Sequence, residues 1–537
     1  VQHSLTRGSM RAHSDGLSQA DLGALLAFVS STSASVSTAN QCTGKIRGHE
    51  KILWNGWGNG TDNARRQTAS GASITSANAS ALRLKWAFGF AGAVRSRSQP
   101  LITEGRLYVG SQSGRVHALD LHTGCEWWHF DAEAEVRGAL AADNSGASLF
   151  FADFSGNVYR VDALTGALAW KRNVAEHETA TITGSMTLHR NRLFVPISST
   201  EVVSAISPDY ECCTFRGAVA AIDIETGALA WRAYSVPQPE RRGTNSSGAR
   251  QWGPSGAPVW STPTVDERRD LIYFGTGQNY SLPATGTSDA VIAVSRESGE
   301  VAWVRQTLAS DVWNAGCVTN GVNCPEPRGP DFDIGTAPIL AATASGKDII
   351  LVGQKSGMVY ALDPDANGDV VWQRRVGRGG KKGGVHWGMT TDGETLFVPI
   401  ADLPDDSDTG YEAQPGLHAL DLSNGRPRWY LPADPICSDE GFACVASFSA
   451  AASSVNDVVL LGAMNGQLSA VDATDGEILW SFDTARPFET VNELKANGGS
   501  IDVAGPIAVD RYVVVQSGYD LYGQLTGNAL LVFELEE

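Results

Sequence analysis

The stretch Ala118-Leu119-Asp120-Leu121-His122-Thr123-Gly124-Cys125-Glu126-Trp127-Trp128 decides the fold, because its pattern recurs along the chain. The pattern is an Asp, a Thr-Gly pair that begins three residues later, and a Trp four residues after the Gly. A repeat on this scale indicates structural units that bury a continuous core only when they are packed together. Two further full copies are Asp162–Trp170 and Asp223–Trp231, and looser copies end at Trp303, Trp372, Trp429 and Trp480.

Alternating apolar residues precede most copies and predict antiparallel strands. Leu107-Tyr108-Val109 and Val116 are one example, separated by a turn at Gly114. Strand, turn, strand, Asp-Thr-Gly turn and a final strand that carries the Trp form one four-stranded blade. Leu82–Trp86 looks like the tail of an eighth copy. Eight such Trp residues predict an all-β, eight-bladed β-propeller.

The bulk composition agrees with a large folded core. The chain has 537 residues, of which 42% are hydrophobic and 19% charged. Its net charge of −18 argues against nucleic acid and anionic membrane surfaces as partners, and favours a basic protein or a metal ion. No apolar run reaches about 18 residues, so we expect no membrane span.

The eight cysteines indicate an oxidising compartment. Cys317/Cys324 and Cys437/Cys444 share one short spacing that suits two local disulfides, and Cys42 and Cys125 remain as a long-range pair. We therefore expect a periplasmic or secreted protein. Buried thiols in a cytosolic protein are the alternative. The chain contains no Cys-x-x-Cys pair, which excludes a zinc ribbon and covalent haem.

Residues 1–40 do not fit the repeat, and we expect two parts: this segment, and the propeller over 41–537. Leu17–Val29 has the pattern of an amphipathic helix. It resembles the last helix of a c-type cytochrome domain, with Met10 where an axial ligand could lie, but no haem motif accompanies it. A surface helix followed by a Ser/Ala/Thr linker is the alternative.

From Trp54 onward the chain resembles the quinoprotein alcohol dehydrogenases, and most of all their polyvinyl alcohol dehydrogenase branch. The Asp-Thr-Gly-Trp repeat is similar to the tryptophan-docking motif of that family. The segments that carry the resemblance are Trp54–Arg65, Glu211–Gly217, Trp260–Asp266, Gly275–Asn279, Gly353–Gly357 and His386–Gly388.

The resemblance implies pyrroloquinoline quinone (PQQ) on the propeller axis. PQQ is flat and carries three carboxylates, so it needs an apolar floor and cationic or hydroxyl donors. Trp260 matches the stacking tryptophan, and a disulfide between Cys212 and Cys213 would press on the opposite face. A core Trp and two free thiols are the alternatives. The remaining cofactor-binding candidates are Arg137, Thr183, Ser185, Lys355, Trp387 and Asn492.

The resemblance also implies a calcium ion beside the cofactor. Calcium prefers carboxylate and amide oxygens, and the candidates are Glu201, Gln278, Asn279 and Asp331. Gln278 stands where the family has an asparagine, so either Gln278 or Asn279 supplies the amide. Ordinary turn residues are the alternative for both.

Alcohol oxidation needs a base to take the hydroxyl proton. The family's base is an Asp that follows Trp, but here Asn314 follows Trp313, and an amide cannot accept the proton. The later Asp331-Phe332-Asp333 aligns with the catalytic Asp by its spacing to Pro338. We therefore assign Asp331 as base and Asp333 as a second acid, with Asp311 as the competing base.

These features predict a PQQ- and calcium-dependent dehydrogenase that oxidises secondary alcohols, polyvinyl alcohol above all, to ketones. Because the chain cannot hold covalent haem, electrons would pass to a separate, soluble cytochrome c. The alternatives are a PQQ dehydrogenase of small alcohols, a sugar-oxidising quinoprotein and a cofactor-free scaffold propeller.

Overall fold

The computed structural model describes residues 40–44, 48–404, 409–433, 445–519 and 524–536. The helix expected over Leu17–Val29, Met10, and the Cys437/Cys444 pair lie outside these ranges. Within them, helical structure is confined to the single-turn α-helix Glu201–Ser204 and three 3₁₀ turns at Ala79–Ala81, Ala315–Thr319 and Pro364–Ala366. No helix among the described residues is long and apolar enough to cross a membrane.

The described residues form eight sheets of at least four strands, antiparallel apart from the added strand Arg66–Gln67, which confirms the eight-bladed propeller. In sequence order, from the innermost strand outward, blades 1 to 4 are Leu101–Thr103, Arg106–Gly110, Arg115–Asp120, Glu126–Asp131; Ala141–Ala142, Ser148–Ala152, Asn157–Asp162, Leu168–Asn173; Thr187–His189, Arg192–Ser199, Ala218–Asp223, Leu229–Tyr234; and Thr264–Asp266, Leu271–Gly275, Ala290–Ser295, Val301–Gln306. Blades 5 to 7 are Ile339–Ala342, Asp348–Gly353, Met358–Asp363, Asp369–Arg375; Thr390–Thr391, Thr395–Ile400, Gly416–Asp421, Pro427–Pro432; and Ser453–Val455, Val458–Gly462, Gln467–Asp472, Ile478–Asp483.

Blade 8 closes the ring with strands from both ends of the described chain. It is built from Ile507–Val509, Tyr512–Ser517 and Ala529–Leu535, and its outer strand is Leu82–Gly89. Leu82–Gly89 pairs antiparallel with Ala529–Leu535 along its whole length. This pairing removes the free edges that an open ring would expose.

Smaller elements lie outside the regular blades. Ile52–Trp54 adds a fifth strand to blade 1, Arg66–Gln67 adds one to blade 7, and Ala180–Thr181 pairs with the second strand of blade 3. Three two-stranded sheets among the described residues are Glu240–Thr244 with Arg250–Gly253, Ser255–Gly256 with Asn279–Ser281, and Pro487–Phe488 with Ala496–Asn497.

The repeated Trp joins each blade to the next. Trp128, on the outer strand of blade 1, lies against Gly166 in the Thr-Gly turn of blade 2, where an added Cβ would meet the ring at 2.7 Å. Gly166 also has a φ of +71°, which side chains other than glycine rarely adopt. Trp128 Nε1 donates to Ala163 O at 3.2 Å. The same Trp-on-Gly contact occurs in the pairs Trp86/Gly124, Trp170/Gly227, Trp231/Gly299, Trp303/Gly368, Trp372/Gly425 and Trp429/Gly476.

Disulfides link loop residues of the propeller. The pairs Cys42–Cys125 and Cys317–Cys324 form as predicted from the spacing. Cys317–Cys324 closes a short loop that follows Trp313, on the face of the propeller where the candidate site lies.

Candidate functional site

A cavity of about 430 Å³ opens where the loops that enter blades 2 to 6 converge. Several of its side chains occupy equivalent places in successive blades, three or four residues before the innermost strand. The equivalent residues are Arg137 in blade 2, Thr183 in blade 3, Trp260 in blade 4 and Trp387 in blade 6. The propeller repeat therefore brings residues far apart in sequence to one place. The cavity wall contains eight predicted site residues, because Gln278, Asp331, Asp333 and Lys355 also line it.

Aromatic rings form part of the cavity wall. Trp260 and Trp387 meet edge to face with ring centroids 5.1 Å apart, and His386 lies 4.8 Å from Trp387. The backbone of Gly335 approaches Trp260 so closely that a Cβ there would lie 1.8 Å from the ring. Glycine at 335 is thus required for the position of Trp260. The wall offers a flat ligand an apolar contact surface.

Four buried polar atoms on this wall have no hydrogen-bond partner within the described residues: Arg137 Nε, Thr183 Oγ1, Trp387 Nε1 and Gln278 Oε1. Buried polar groups are nearly always paired, so a cluster of exceptions indicates places for ligand atoms. Three of the atoms are donors, which suits a ligand rich in carboxylates. Burial lowers the pKa of Arg137 to about 10, with Arg97 as a lesser cause, so Arg137 remains a cation at neutral pH.

A lysine and two aspartates form the polar end of the cavity. Lys355 Nζ lies 2.9 Å from Asp331 Oδ1 and 3.6 Å from Asp333 Oδ2. Asp333 also accepts hydrogen bonds from Trp260 Nε1 at 2.9 Å and from the Gln278 backbone N–H at 3.2 Å. Burial raises the pKa of Asp331 well above its ordinary value, and Lys355 opposes that rise. A carboxylate in this setting is a stronger proton acceptor than one in water.

Asp311 holds the backbone of Asp331 in place. Its carboxylate accepts the N–H of Asp331 at 3.1 Å and that of Phe332 at 2.8 Å. Asp331 has a φ of +64°, a conformation that costs a non-glycine residue about 1–2 kcal/mol. Asp311 is fully buried and is not among the residues that line the cavity, whereas Asp331 lines it. Burial raises the pKa of Asp311 to about 6.

Asn314, which follows Trp313, has a structural role. Its side-chain N–H groups donate to Tyr280 O and Asn323 O, and its Oδ1 accepts from Gly316 N. These bonds hold the disulfide-closed loop against the short strand Asn279–Ser281. The residue therefore does not present its amide to the cavity.

The metal ligands predicted from sequence separate into two groups. Asp331 and Gln278 lie on the cavity wall, together with Asp333, which was predicted as a second acid. Asn279 does not: its Oδ1 accepts from Thr285 and its Nδ2 donates to Ser255 O. Of the two amides that the sequence left open, Gln278 lines the cavity, and its Oε1 has no hydrogen-bond partner within the described residues.

Glu201 is also absent from the wall. Its carboxylate accepts the backbone N–H groups of Thr214 at 2.8 Å and Phe215 at 2.9 Å, and the hydroxyl of Tyr210 at 3.1 Å. Burial raises its pKa. Glu201 thus anchors the segment after the vicinal cysteines, and this geometry does not support the predicted ligand role. Within the described ranges, no group of three or more His, Cys, Asp or Glu side chains is arranged to hold a metal.

Cys212 and Cys213 form the disulfide that the resemblance implied, with a cis peptide between them. Both are fully buried in a cluster with Phe215 and Tyr280, and neither lines the cavity. The disulfide, which was predicted to form the face opposite Trp260, is therefore not part of the cavity wall. It lies behind the wall, because Tyr280 stands on the cavity side of the cluster.

Two remaining cofactor candidates differ in outcome. Ser185 lies beside Arg137 and Thr183 in a narrow extension of the cavity, and its hydroxyl accepts the Ala139 N–H at 2.8 Å. Asn492 is not part of the site, because its amide exchanges two hydrogen bonds with the backbone of Gly89.

Sequence reasoning missed several residues that line the cavity. His386 belongs to the segment His386–Gly388, but the sequence did not predict a role for it. Burial lowers its pKa to about 3, and its Nδ1 lies 2.8 Å from Ser449 Oγ. Lys381 and Lys382 also line the cavity. Their place in the run Gly379-Gly380-Lys381-Lys382-Gly383-Gly384 was a usable signal, since glycine-rich loops allow close approach of a ligand.

The chain is similar in sequence to known proteins over most of its length. Residues 54–387 match the family described as the glucose/ethanol/alcohol dehydrogenase β-propeller domain. The chain is 39% identical over 519 residues to a polyvinylalcohol dehydrogenase of Pseudomonas sp, covering 92% of this chain and 79% of that protein. It is also 39% identical over 506 residues to a polyvinylalcohol dehydrogenase of Sphingopyxis sp. (strain 113P3), covering 90% and 76%.

The likeness extends to solved structures at the level of the fold. The quinohemoprotein alcohol dehydrogenase from Comamonas testosteroni superposes with a TM-score of 0.64 at 19% identity, covering 94% of this chain and 84% of that chain. Residues 287–522 also match the family described as outer membrane protein assembly factor BamB. That match covers less than half of this chain.

If the unpartnered atoms are reserved for a ligand, removing one should not weaken the ligand-free protein. We expect Thr183→Val to leave the free energy of unfolding unchanged or to raise it by about 1 kcal/mol, since an unsatisfied buried hydroxyl is lost. Urea denaturation of the cofactor-free protein measures this. The matched control is Thr336→Val, because Thr336 Oγ1 pairs with both backbone groups of Gly353 and its loss should destabilise by about 1–3 kcal/mol. Equal destabilisation by the two changes would show that Thr183 is already satisfied.

Proposed function

The chain belongs to the PQQ-dependent alcohol dehydrogenase family, and from this premise we propose that it oxidises secondary alcohol groups of long-chain substrates to ketones, with polyvinyl alcohol as the substrate and calcium beside the PQQ. The substrate proposal draws on two relatives named as polyvinylalcohol dehydrogenases that align over most of the chain. A small-alcohol dehydrogenase is the competing proposal.

The observation that carries the proposal is the convergence of unpartnered donors with an acid–lysine group in one cavity. Arg137, Thr183 and Trp387 supply donors for carboxylates of the cofactor. A scaffold propeller without a cofactor has no need of such a cluster, because each unsatisfied buried group costs about 1–3 kcal/mol.

When bound, PQQ supplies the acceptor for the hydride of the alcohol carbon, and calcium acts as a Lewis acid on its quinone carbonyl. The metal candidates on the wall are Asp331, Asp333 and Gln278, whose oxygens are of the type that calcium prefers. Lys355, 2.9 Å from Asp331, would provide positive charge that stabilises negative charge on a cofactor held in this cavity. Trp260 and Trp387 exclude water from the reacting groups and so strengthen these interactions.

Asp331 is our proposed base. One of its carboxylate oxygens would take the hydroxyl proton of the substrate, and burial, which raises its pKa, favours that transfer. Asp333 would act through position: its carboxylate accepts the Trp260 N–H and fixes the ring beside the base. Asp311 would orient Asp331 through the two backbone N–H groups.

The partner and compartment are proposals of the same kind. We propose a soluble cytochrome c as the acceptor that reoxidises the reduced cofactor. The three disulfides among the described residues support a periplasmic or secreted location.

Reconstitution tests the proposal directly. Dye-linked oxidation should require both PQQ and a divalent metal, since each supplies chemistry that no side chain here provides. Given both, we expect polyvinyl alcohol to be turned over with a higher kcat/KM than methanol or glucose. Activity in protein free of PQQ and metal would refute the cofactor proposal, and a clear preference for methanol or glucose would refute the substrate.

Paired amide substitutions test the base. Asp331→Asn keeps the shape of the side chain and removes its basicity, so kcat should fall about 10²–10⁴-fold. Asp311→Asn retains one oxygen acceptor and should cost about tenfold or less. Quenching of tryptophan fluorescence by PQQ should be nearly the same in both variants, which shows that the cofactor still binds. The reverse ranking of the two kcat values would transfer the role of base to Asp311.

A further inference from the structure

Four exposed aliphatic side chains lie together beside the mouth of the cavity. Two belong to or follow the single-turn helix at Glu201–Ser204, and two belong to or follow the 3₁₀ turn at Ala315–Thr319. We call this group the apolar rim: Val203, Ile206, Val318 and Val322, which are 53%, 47%, 68% and 42% exposed.

The rim differs from the other exposed aliphatic residues of the molecule. Five of those occupy one repeated place, two residues before the blade Trp on an outer strand: Leu168, Leu229, Val301, Val370 and Ile478. Their exposure is a property of the repeat, because outer strands face solvent on one side. The rim residues lie in loops outside the repeat, so the fold does not require them to be apolar.

The rim is continuous with the proposed active site. Val203 and Val318 line the same cavity as Asp331, and Trp313 and Ala315 are also part of its wall. An apolar surface therefore leads from solvent to the proposed base. Exposed apolar surface of this kind commonly marks a binding site.

The two halves of the rim are held together before any ligand arrives. Asn323 Nδ2 donates to Ala205 O at 3.2 Å and to Ser207 O at 2.8 Å, linking the second loop to the first. The Cys317–Cys324 disulfide closes the loop that carries Val318 and Val322. A preformed surface loses little conformational freedom on binding, which favours affinity.

The dimensions of the cavity determine what reaches the rim. A space of about 430 Å³ must hold both the cofactor and the reacting carbinol, so little room remains for the rest of a long substrate. Chain atoms on either side of the carbinol must leave through the mouth and lie on its edge. Methylene groups there gain by covering exposed valine and isoleucine side chains.

We propose that the apolar rim is a binding subsite for the aliphatic chain segments that flank the reacting secondary alcohol. The subsite accounts for a preference for long substrates over short ones. This inference rests on the proposed function, because it assumes that the carbinol enters the cavity.

The test compares two pairs of Val→Ser substitutions in the PQQ-loaded, calcium-loaded enzyme. The rim pair is Val203→Ser with Val318→Ser. The control pair is Val301→Ser with Val370→Ser, on outer strands at 54% and 43% exposure. Each Val→Ser substitution in the rim should raise KM for polyvinyl alcohol about fivefold, because the free energy gained by partly burying the valine side chain is lost. The kcat for the polymer and the KM for propan-2-ol should not change.

Equilibrium binding of the polymer, measured by isothermal titration calorimetry, gives a readout that does not need turnover. The rim pair should weaken binding by the same factor as KM, and the control pair should not. Unchanged polymer binding in the rim pair, or equal weakening in the control pair, overturns the inference. The inference is also overturned if the wild-type protein is a dimer, the rim substitutions convert it to a monomer, and polymer binding is not lost. Polymer binding that depends on the rim, in an enzyme that oxidises neither alcohol, would refute the proposed function alone.

Discussion

The contact between a tryptophan ring and a glycine backbone organises this molecule. In each of seven junctions, the Trp of one blade lies on the Gly of the next blade's turn, and any side chain there would collide with the ring. The contact fixes the orientation in which each blade packs against the next. The eight blades close into a ring through the pairing of Leu82–Gly89 with Ala529–Leu535. Loops of successive blades then converge. Arg137 Cζ therefore lies 5.3 Å from the centroid of the Trp387 ring, although 250 residues separate the two in sequence.

The site is assembled against the preferences of a stable core. Arg137, Thr183 and Gln278 bury polar atoms without partners, and Asp331 adopts a backbone conformation that few residues tolerate. Such features persist only where surrounding structure holds them, and they concentrate at functional sites. Here the support is visible: Asp311 holds the Asp331 backbone, and Gly335 leaves room for Trp260. Ligand atoms that satisfy these groups would recover the cost.

The blades could be predicted because the Asp-Thr-Gly turn and the docking Trp are local signals repeated many times. Arg137 and Trp260 were predicted from the resemblance to family motifs, and the repeat places each of them four residues before an innermost strand, on the cavity wall. Glu201 and Asn279, which were predicted as metal ligands, do not line the cavity. Glu201 begins a single-turn helix and Asn279 begins a short strand, and in both cases neighbouring backbone N–H groups already donate to the side-chain oxygens. Sequence identifies a carboxylate or an amide, but not whether a neighbouring N–H has already taken its oxygen.

The central claim is that the unpartnered atoms of the axial cavity are the contacts of the cofactor. A crystal structure of the protein with PQQ and calcium tests it most directly. We expect carboxylate oxygens of PQQ within about 3.2 Å of Arg137 Nε and Thr183 Oγ1. Calcium should lie about 2.3–2.6 Å from Gln278 Oε1. PQQ bound elsewhere, or bound in the cavity with these atoms still unpaired, would contradict the account.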